Sequence, residues 1–581
     1  MRSRSMLAGV AVTTAAMATT LLVGPVSATA GTSVSGKTIS YTVVLEQGAT
    51  RTAAVSAVKA AGGTVTGTNR AARTLTVKAP AKGFVVAVSK SRAVLGAAKN
   101  QAIGKAPDMN RRDLVEKAAH VDGAKAAGQK AAEEAGTVTA AATAGMDPLD
   151  TKLWGLRMVK SDQARAIQSG DDRVLVGVLD TGVDARHPDI APNFDAARSR
   201  NFTTDQADID GATCEFPALG CKDPADWDDN GHGTHTAGTM AAAANGFGIS
   251  GVAPDVTLVN IRGGQDSGYF FLGPVVNALT YAGDAGLDVV NMSFYVDPWL
   301  YNCTANPRDS AEAQIEQRAI IAAMGNALDY AHSKGVTLVG SLGNDHDDIG
   351  NPRPDTSSPD YPGGTEYTRP VDNATCFDLP VEGPHVIGVS ALGPSGDKAD
   401  YSNYGIDGDR GVDVAAPGGW FRDGYGTATF RTNENLILST APVNALQDSG
   451  EVDADGNITP LGEEFGVIKQ CPAGSTSYVQ CGYYQYLQGT SMAGPHAAGV
   501  AALIVSQYGS VSGTGFGLAA DTTKSILLQT ADEHACPFPR MQTYTREGRS
   551  GQFNALCTGT EEFNDFYGHG IVDALAAVTA D

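Results

Sequence analysis

The 581-residue chain is 42% hydrophobic and 18% charged, an ordinary balance for a folded protein, which excludes overall disorder and leaves room for more than one domain. It carries 42 Lys+Arg against 64 Asp+Glu, a formal net charge of -22. That charge excludes nucleic acid as a partner, because a phosphate backbone needs a basic face to bind.

In chain order, "MRSRSMLAGVAVTTAAMATTLLVGPVSATA" has an arginine-bearing start, an apolar middle and small residues in A-x-A spacing at Ala28 and Ala30. Together these predict a secretory signal peptide over residues 1–30, and a secreted, extracellular product. A membrane anchor is the competing reading, but the apolar part is short and interrupted by threonines, and no later stretch is long and apolar enough to span a bilayer. Residues 31–106 follow as a small α+β unit: strand "TISYTVVLE", an alanine-rich helix, strands "GTVTGTN" and "RTLTVKAP", a second helix, and an apolar run near Val94. This order is that of a split βαβ, ferredoxin-like domain. Residues 107–147 read as a linker, because the stretch "AAGQKAAEEAGTVTAAATAGMDP" is low in complexity and lacks large apolar side chains.

Charge divides at that linker. Residues 31–147 hold 16 Lys+Arg against 8 Asp+Glu, whereas residues 148–581 hold 24 against 56, and opposite signs on consecutive segments favour mutual docking. Residues 148–581 alternate apolar strands ("RVLVGVLD", "VTLVNIR", "LDVVNMS", "VTLVGSLGN", "HVIGVSAL", "VDVAAPG") with helical stretches such as "PVVNALTYAGDAG". The pattern predicts an α/β domain, a doubly wound and mostly parallel sheet with helices on both faces. Ligands of such sheets gather at the carboxyl ends of the strands. Eight cysteines, all after the signal, suit an oxidising compartment. Cys214 with Cys221 and Cys471 with Cys481 are close enough for local loops, while a zinc site finds no C-x-x-C spacing.

Three polar positions carry chemistry. Asp180 ends the strand "VLVGVLDTGVD", where an Asx-turn would be the bland explanation. His232 lies in "DDNGHGTHTAG" at the start of an alanine-rich helix, and His235 shares its face, so a metal pair is an alternative, although H-E-x-x-H spacing is missing. Ser491, in "LQGTSMAGPHAAGVAALIV", either caps its apolar helix or serves as a nucleophile; a hydroxyl needs a base to activate it, and the base needs a carboxylate to fix its tautomer.

The stretches "DTGVD", "GHGTHTAGT" and "GTSMAGPHAAG" resemble the three active-site signatures of the subtilisin-like serine proteases, the subtilases, in the family's order of Asp, His and Ser. The resemblance covers about residues 148–581. It implies that Asp180 orients His232, that His232 takes the proton of Ser491, and that Asn344 in "LVGSLGND" helps the Ser491 N–H stabilise an oxyanion. It further implies an endopeptidase acting on proteins or peptides, monomeric, needing no cofactor for its chemistry, and inhibited by its own N-terminal propeptide, residues 31–106, until this is cut away. A structural calcium ion would take side-chain ligands from Asp150, Asp189 and Asn245. An exopeptidase with one end of the cleft blocked, and a catalytically silent binding protein, are the alternatives.

Two departures bear on specificity. Where relatives commonly read "SLGG" this chain has "MSFYVDPWLYNC", so Phe294 and Tyr295 either narrow the pocket for the residue before the cut or pack as core. A second insertion, about 443–484, is a lid, a specificity loop or surface decoration. Gly494 stands where Thr or Ser is frequent and leaves the approach uncrowded.

Overall fold

The computed structural model describes residues 37–100, 102–105, 146–210, 214–294, 299–359, 365–512 and 515–580. The signal-peptide reading for residues 1–30, nearly all of the linker and Tyr295 lie outside them. Residues Thr38–Asp581 form one compact unit.

The first part follows the sequence pattern closely: β1 (Thr38–Leu45), α1 (Arg51–Ala60), β2 (Thr64–Asn69), β3 (Thr74–Pro80), α2 (Phe84–Val88) and β4 (Val94–Lys99). The strands lie in the order β2-β3-β1-β4, with β1 antiparallel to both β3 and β4. Val43, Leu75, Val77 and Ala97 alternate onto the helix-covered face with Ala54, Val58 and Phe84. A further strand, β5 (Ala102–Lys105), leaves this sheet to pair elsewhere.

The second part is built on a seven-stranded sheet. Its strands are β6 (Leu175–Val178), β7 (Arg200–Asn201), β8 (Thr257–Arg262), β10 (Val289–Met292), β12 (Thr337–Ser341), β14 (Val386–Leu392) and β15 (Val414–Pro417). Between them fall the short β9 (Tyr269–Phe271), β11 (Asn302–Cys303) and β13 (Cys376–Phe377). All pairings in the large sheet are parallel, in the order β15-β14-β12-β10-β6-β8-β7. Parallel strands buried on both faces read as continuous apolar runs, which is why six of them were legible without alternation.

Their side chains divide between two cores. Val176, Val178, Val289 and Val339 point to a core shared with α3 (His232–Ala241) and α6 (Thr490–Tyr508). Leu179, Val290, Met292 and Leu338 point to the opposite core, shared with α4 (Leu272–Ala285) and α5 (Ala311–Ser333). From β6 the chain proceeds outward to β7 and β8, then crosses to β10 and proceeds the other way. The carboxyl ends of β6 and β10 therefore flank the switch point, where an α/β sheet opens a crevice.

The first part docks on α5 and α4. Lys99 Nζ lies 2.9 Å from Glu312 and 3.2 Å from Glu316, Asn326 donates to the carbonyl of Ala72 at 3.2 Å, and Asn69 Nδ2 donates to Asn277 at 2.9 Å. The basic and acidic halves thus meet through specific pairs. Four disulfides, Cys214–Cys221, Cys303–Cys376, Cys471–Cys481 and Cys536–Cys557, use all eight cysteines. Within the second insertion β17 (Ile468–Gln470) and β18 (Gly482–Leu487) pair with each other, and β18 also pairs with β16 (Ile437–Ala441), so the segment is anchored as a three-stranded sheet. Among the described residues no helix is long and apolar enough to cross a membrane.

Candidate active site

Asp180 follows β6 by two residues and is fully buried. Its Oδ1 accepts the Thr181 N–H at 2.8 Å and is hydrogen-bonded to His232 Nδ1 at 2.7 Å. A carboxylate accepts but does not donate, so this bond places the imidazole proton on Nδ1 and leaves Nε2 free to take another. His232 is itself fully buried, and its Nε2 has no hydrogen-bond partner.

The approach of α3 to the β6 turn requires glycine on both sides. A Cβ on Gly233 would fall 2.1 Å from the carbonyl oxygen of Gly182, and Gly182 has φ 145° with no room beside the Trp227 carbonyl. Asp228 ties the loop between them. It accepts from Gly231 N (2.9 Å), Thr234 N (3.0 Å), Thr234 Oγ1 (2.7 Å) and Thr181 Oγ1 (3.2 Å). Sequence reasoning passed over Asp228, whose signal was its place four residues before His232 in "DDNGHG".

His235 does not join a metal pair. Its Nε2 faces the carbonyls of Ile437 (3.2 Å) and Gln485 (3.1 Å), and burial pushes its pKa down to about 3, so it is a neutral donor fastening α3 to β16 and β18.

Ser491 is not the cap of its helix. Gly489 occupies the N-cap position, and Ser491 is the second residue of α6, 2% exposed. Pro495 lies four residues further on and has no N–H, so the Ser491 carbonyl lacks its usual helical donor. Ser293, just beyond β10, supplies one: its Oγ donates to the Ser491 carbonyl at 2.9 Å, while Asn291 Nδ2 donates to that Oγ at 2.8 Å. In return Ser491 Oγ donates to the Ser293 carbonyl at 3.1 Å. The hydroxyl is thus parked on the backbone of the neighbouring strand end, and rotation about χ1 would release it. Helices α3 and α6, which carry His232 and Ser491 in their first turns, pack against each other. A Cβ on Gly494 would sit 3.1 Å from Asn291 Oδ1, so glycine there does keep this approach open.

Asn344 follows β12, also at a carboxyl strand end. Its Oδ1 accepts from Thr490 N at 2.9 Å and Thr490 Oγ1 at 3.0 Å, which fixes the amide so that Nδ2 is the free end. In the first turn of α6 Thr490 N is thereby taken and Met492 N bonds the Gly489 carbonyl at 3.0 Å, so the Ser491 N–H is the group of that turn that could join Nδ2 in receiving negative charge. Replacing Asn344 by Ala is expected to lower kcat by roughly 10²–10³-fold with little change in KM, measured on a peptide substrate.

Phe294 packs rather than lining an open pocket. It is 1% exposed and stacks on Phe270 of β9, with centroids 4.0 Å apart and planes at 13°, within the core that also holds Trp299, Ala319 and Ile320 of the insertion.

The expected calcium ligands divide. Asp189 and Asn245 meet, with Asn245 Nδ2 donating to Asp189 Oδ1 at 3.2 Å. Ile249 N (3.0 Å) and Tyr484 OH (2.8 Å) also donate to Asp189. These donors are neutral, and burial pushes the Asp189 pKa up to about 7, with Asp147 adding repulsion. Asp150 stands apart: its carboxylate takes the N–H groups of Ser250 (2.8 Å) and Asp147 (3.0 Å) and an ion pair from Arg165 at 3.4 Å. Asp147, three residues earlier, is the carboxylate beside Asn245, accepting from Asn245 N (3.2 Å) and Gly246 N (2.7 Å). The hard oxygen donors Asp147, Asp189 and Asn245, short of positive charge, fit a calcium ion; Asp150, neutralised by Arg165, does not. One turn of chain separates the two aspartates, and spacing alone could not choose between them.

A buried carboxylate–imidazole pair, and a serine in the first turn of a helix packed on the helix of that imidazole, at the carboxyl edge of a parallel α/β sheet, are what a serine hydrolase requires. The sequence profile of the Subtilase family matches residues 171–570, and the chain belongs to that family; it is a serine-type peptidase. Thermitase of Thermoactinomyces vulgaris is 26% identical over 412 residues, covering 71% of this chain and 98% of that protein. Subtilisin DY of Bacillus licheniformis is 26% identical over 366 residues, covering 62% and 87%. The crystal structure of the epidermin leader peptide processing serine protease from Staphylococcus aureus has a similar fold, with TM-score 0.57 and 18% identity over 94% of this chain and 99% of that one.

Proposed function

We propose that this peptidase is a secreted endopeptidase made as a self-inhibited precursor. In this reading Asp180 holds His232 in the Nδ1–H tautomer, His232 Nε2 takes the Ser491 proton as Oγ attacks a peptide carbonyl, and Asn344 Nδ2 with the Ser491 N–H receives the oxyanion. His232 then gives that proton to the leaving amine as the C–N bond breaks, and the acyl-enzyme is hydrolysed by water with the neutral His232 again as base. The observation that carries the reading is the buried 2.7 Å bond from Asp180 to His232, which leaves a fully buried Nε2 unpartnered beside the helix of Ser491. In His235 the arrangement is reversed: Nε2 is taken by two backbone carbonyls and Nδ1 is the nitrogen without a partner, so of the two only His232 has a carboxylate behind its ring and an open Nε2.

The inhibitory role of the N-terminal part is supported by β5, which pairs antiparallel with β9, Ala102 opposite Phe271 and Lys105 opposite Tyr269. Phe270 of β9 packs on Phe294, the neighbour of Ser293. An added strand on β9, whose Phe270 packs beside the Ser293 strand end, supports the reading that the chain's own segment takes the place of a substrate peptide. Release requires a cut after it, within the segment that joins the two folded parts.

An internally quenched peptide blocked at both termini tests the activity. Cleavage by the processed protein supports endopeptidase action; failure to cut it while an unblocked peptide is trimmed would favour the exopeptidase. For the calcium ion we propose Asp147, Asp189 and Asn245 as side-chain ligands. Chelation is then expected to lower Tm by roughly 5 °C or more in calorimetry. Asp189→Asn should melt at the same temperature with and without calcium, and a chelator effect persisting in that variant would place the ion elsewhere.

A further inference from the structure

Beside Asn344 the chain keeps a carboxylate that the catalytic reading does not use. Asp378 follows β13 and is pinned there by the disulfide from Cys376 to Cys303 of β11. It is 1% exposed, and its Oδ1 accepts no hydrogen bond. Its Oδ2 lies 3.7 Å from where a Cβ on Gly343 would stand. Gly343 in turn donates its N–H to Thr490 Oγ1 at 3.1 Å, and Thr490 immediately precedes Ser491. Nearer still to that Cβ position is Asn403, whose Nδ2 lies 2.4 Å away and donates to the Leu342 carbonyl at 3.0 Å, so the missing side chain at Gly343 lets both Asn403 and the Asp378 carboxylate stand beside the strand end that carries Asn344.

The surroundings add negative charge. Glu382 accepts the N–H of Asp378 at 2.6 Å, and burial first, then the charges of Glu382, Asp345 and Asp347, push the Asp378 pKa well above the carboxylate range. Two cations stand nearby. Arg353 is taken by Asp347 at 3.0 Å, and Arg410 by Asp407, reaching Glu382 only at 3.9 Å. Among the described residues no cation is paired with Asp378. A carboxyl so placed stays protonated while alone and ionises when a cation is brought beside it, so the position suits a cationic partner from outside. A metal ion is the poorer partner: among the described residues the sets of three acidic groups whose oxygens come within 4.8 Å of one another are elsewhere, at Asp205, Glu215 and Asp266 and at Glu215, Asp223 and Asp229.

We propose that Asp378 is a specificity-determining residue that receives the ammonium or guanidinium of a lysine or arginine immediately before the scissile bond. With the carbonyl of that residue on Ser491 and its oxygen at Asn344, its side chain leaves on the side of the strand end where the Asp378 carboxylate stands, next to the Asn403 amide. The joining segment in which self-cleavage falls carries Arg111, Arg112, Lys117, Lys125 and Lys130, so the precursor holds candidate sites of this class.

The inference rests on Ser491 being the nucleophile, so labelling by a fluorophosphonate is followed in parallel. Internally quenched peptides that differ only in the residue before the cut (Arg, Lys, Phe, Leu or Glu) are given to the processed full protein and to Asp378→Asn. The parent is expected to prefer Arg or Lys over Phe and Leu in kcat/KM by about 100-fold or more, and Asp378→Asn to lose that ratio by a similar factor. A parent that labels at Ser491 but cleaves best after Phe or Leu overturns the assignment, whether or not the variant folds. So does an Asp378→Asn protein that labels and retains the basic preference. A parent that does not label overturns the catalytic reading, and this inference with it.

Discussion

Ser491→Ala is expected to lower kcat by about 10⁶-fold, a magnitude taken from subtilisin-type triads rather than from this site. The same change should abolish fluorophosphonate labelling and leave the precursor uncut. The fold should survive, because the Ser491 hydroxyl contributes one exchangeable bond to the Ser293 carbonyl. The reciprocal bond, from Ser293 to the Ser491 carbonyl, is made by the backbone and persists in alanine. Thermal melting within a few degrees of the parent separates a chemical loss from a structural one. Combining Ser491→Ala with His232→Ala should reduce turnover no further than either alone, since a base without a nucleophile has nothing to activate. Multiplying losses would mean that the two residues do not act as a unit.

Asp180→Asn is expected to lower kcat by about 10⁴-fold with little effect on folding. The amide can present its oxygen to the Thr181 N–H, as the carboxylate does now at 2.8 Å. It can equally turn its NH₂ toward His232 Nδ1, and that favours the tautomer with the proton on Nε2, which cannot accept from serine. The carboxylate also stabilises the imidazolium that forms on proton transfer, and a neutral amide does so far less. Labelling should slow by a comparable factor and partly recover at high pH, where hydroxide can stand in for the missing base. A variant retaining more than about a tenth of parental turnover would sink this role for Asp180, since positioning by Thr181 and Thr236 would then suffice.

Much of this was legible in the chain because it is local. Six of the seven strands of the large sheet announced themselves as apolar runs, each buried on both faces. The four-stranded unit announced itself by alternation, because β1 and β3 each turn one face to their own helices. Phe294 was left between pocket and core since a residue's neighbours at large separation are not written beside it; Phe270, its partner, lies in another strand. Asp147 and Asp150 could not be told apart for the same reason: Arg165, which neutralises Asp150, comes from a different turn of the fold.

What the sequence by itself determined is the class of chain and the chemical types at its centre. The glycines at 182, 233 and 494, the order of aspartate, histidine and serine, and the run of buried strands each state a local requirement. Tertiary structure alone decided which polar groups are satisfied and which are left over. It closed the Asp180 to His232 bond across 52 residues, gave the proline-freed Ser491 carbonyl to Ser293 across 198, and buried Asp378 without a cation. Unsatisfied charge and hydrogen-bonding capacity are properties of an enclosed volume, and that volume exists only after distant segments have packed around it.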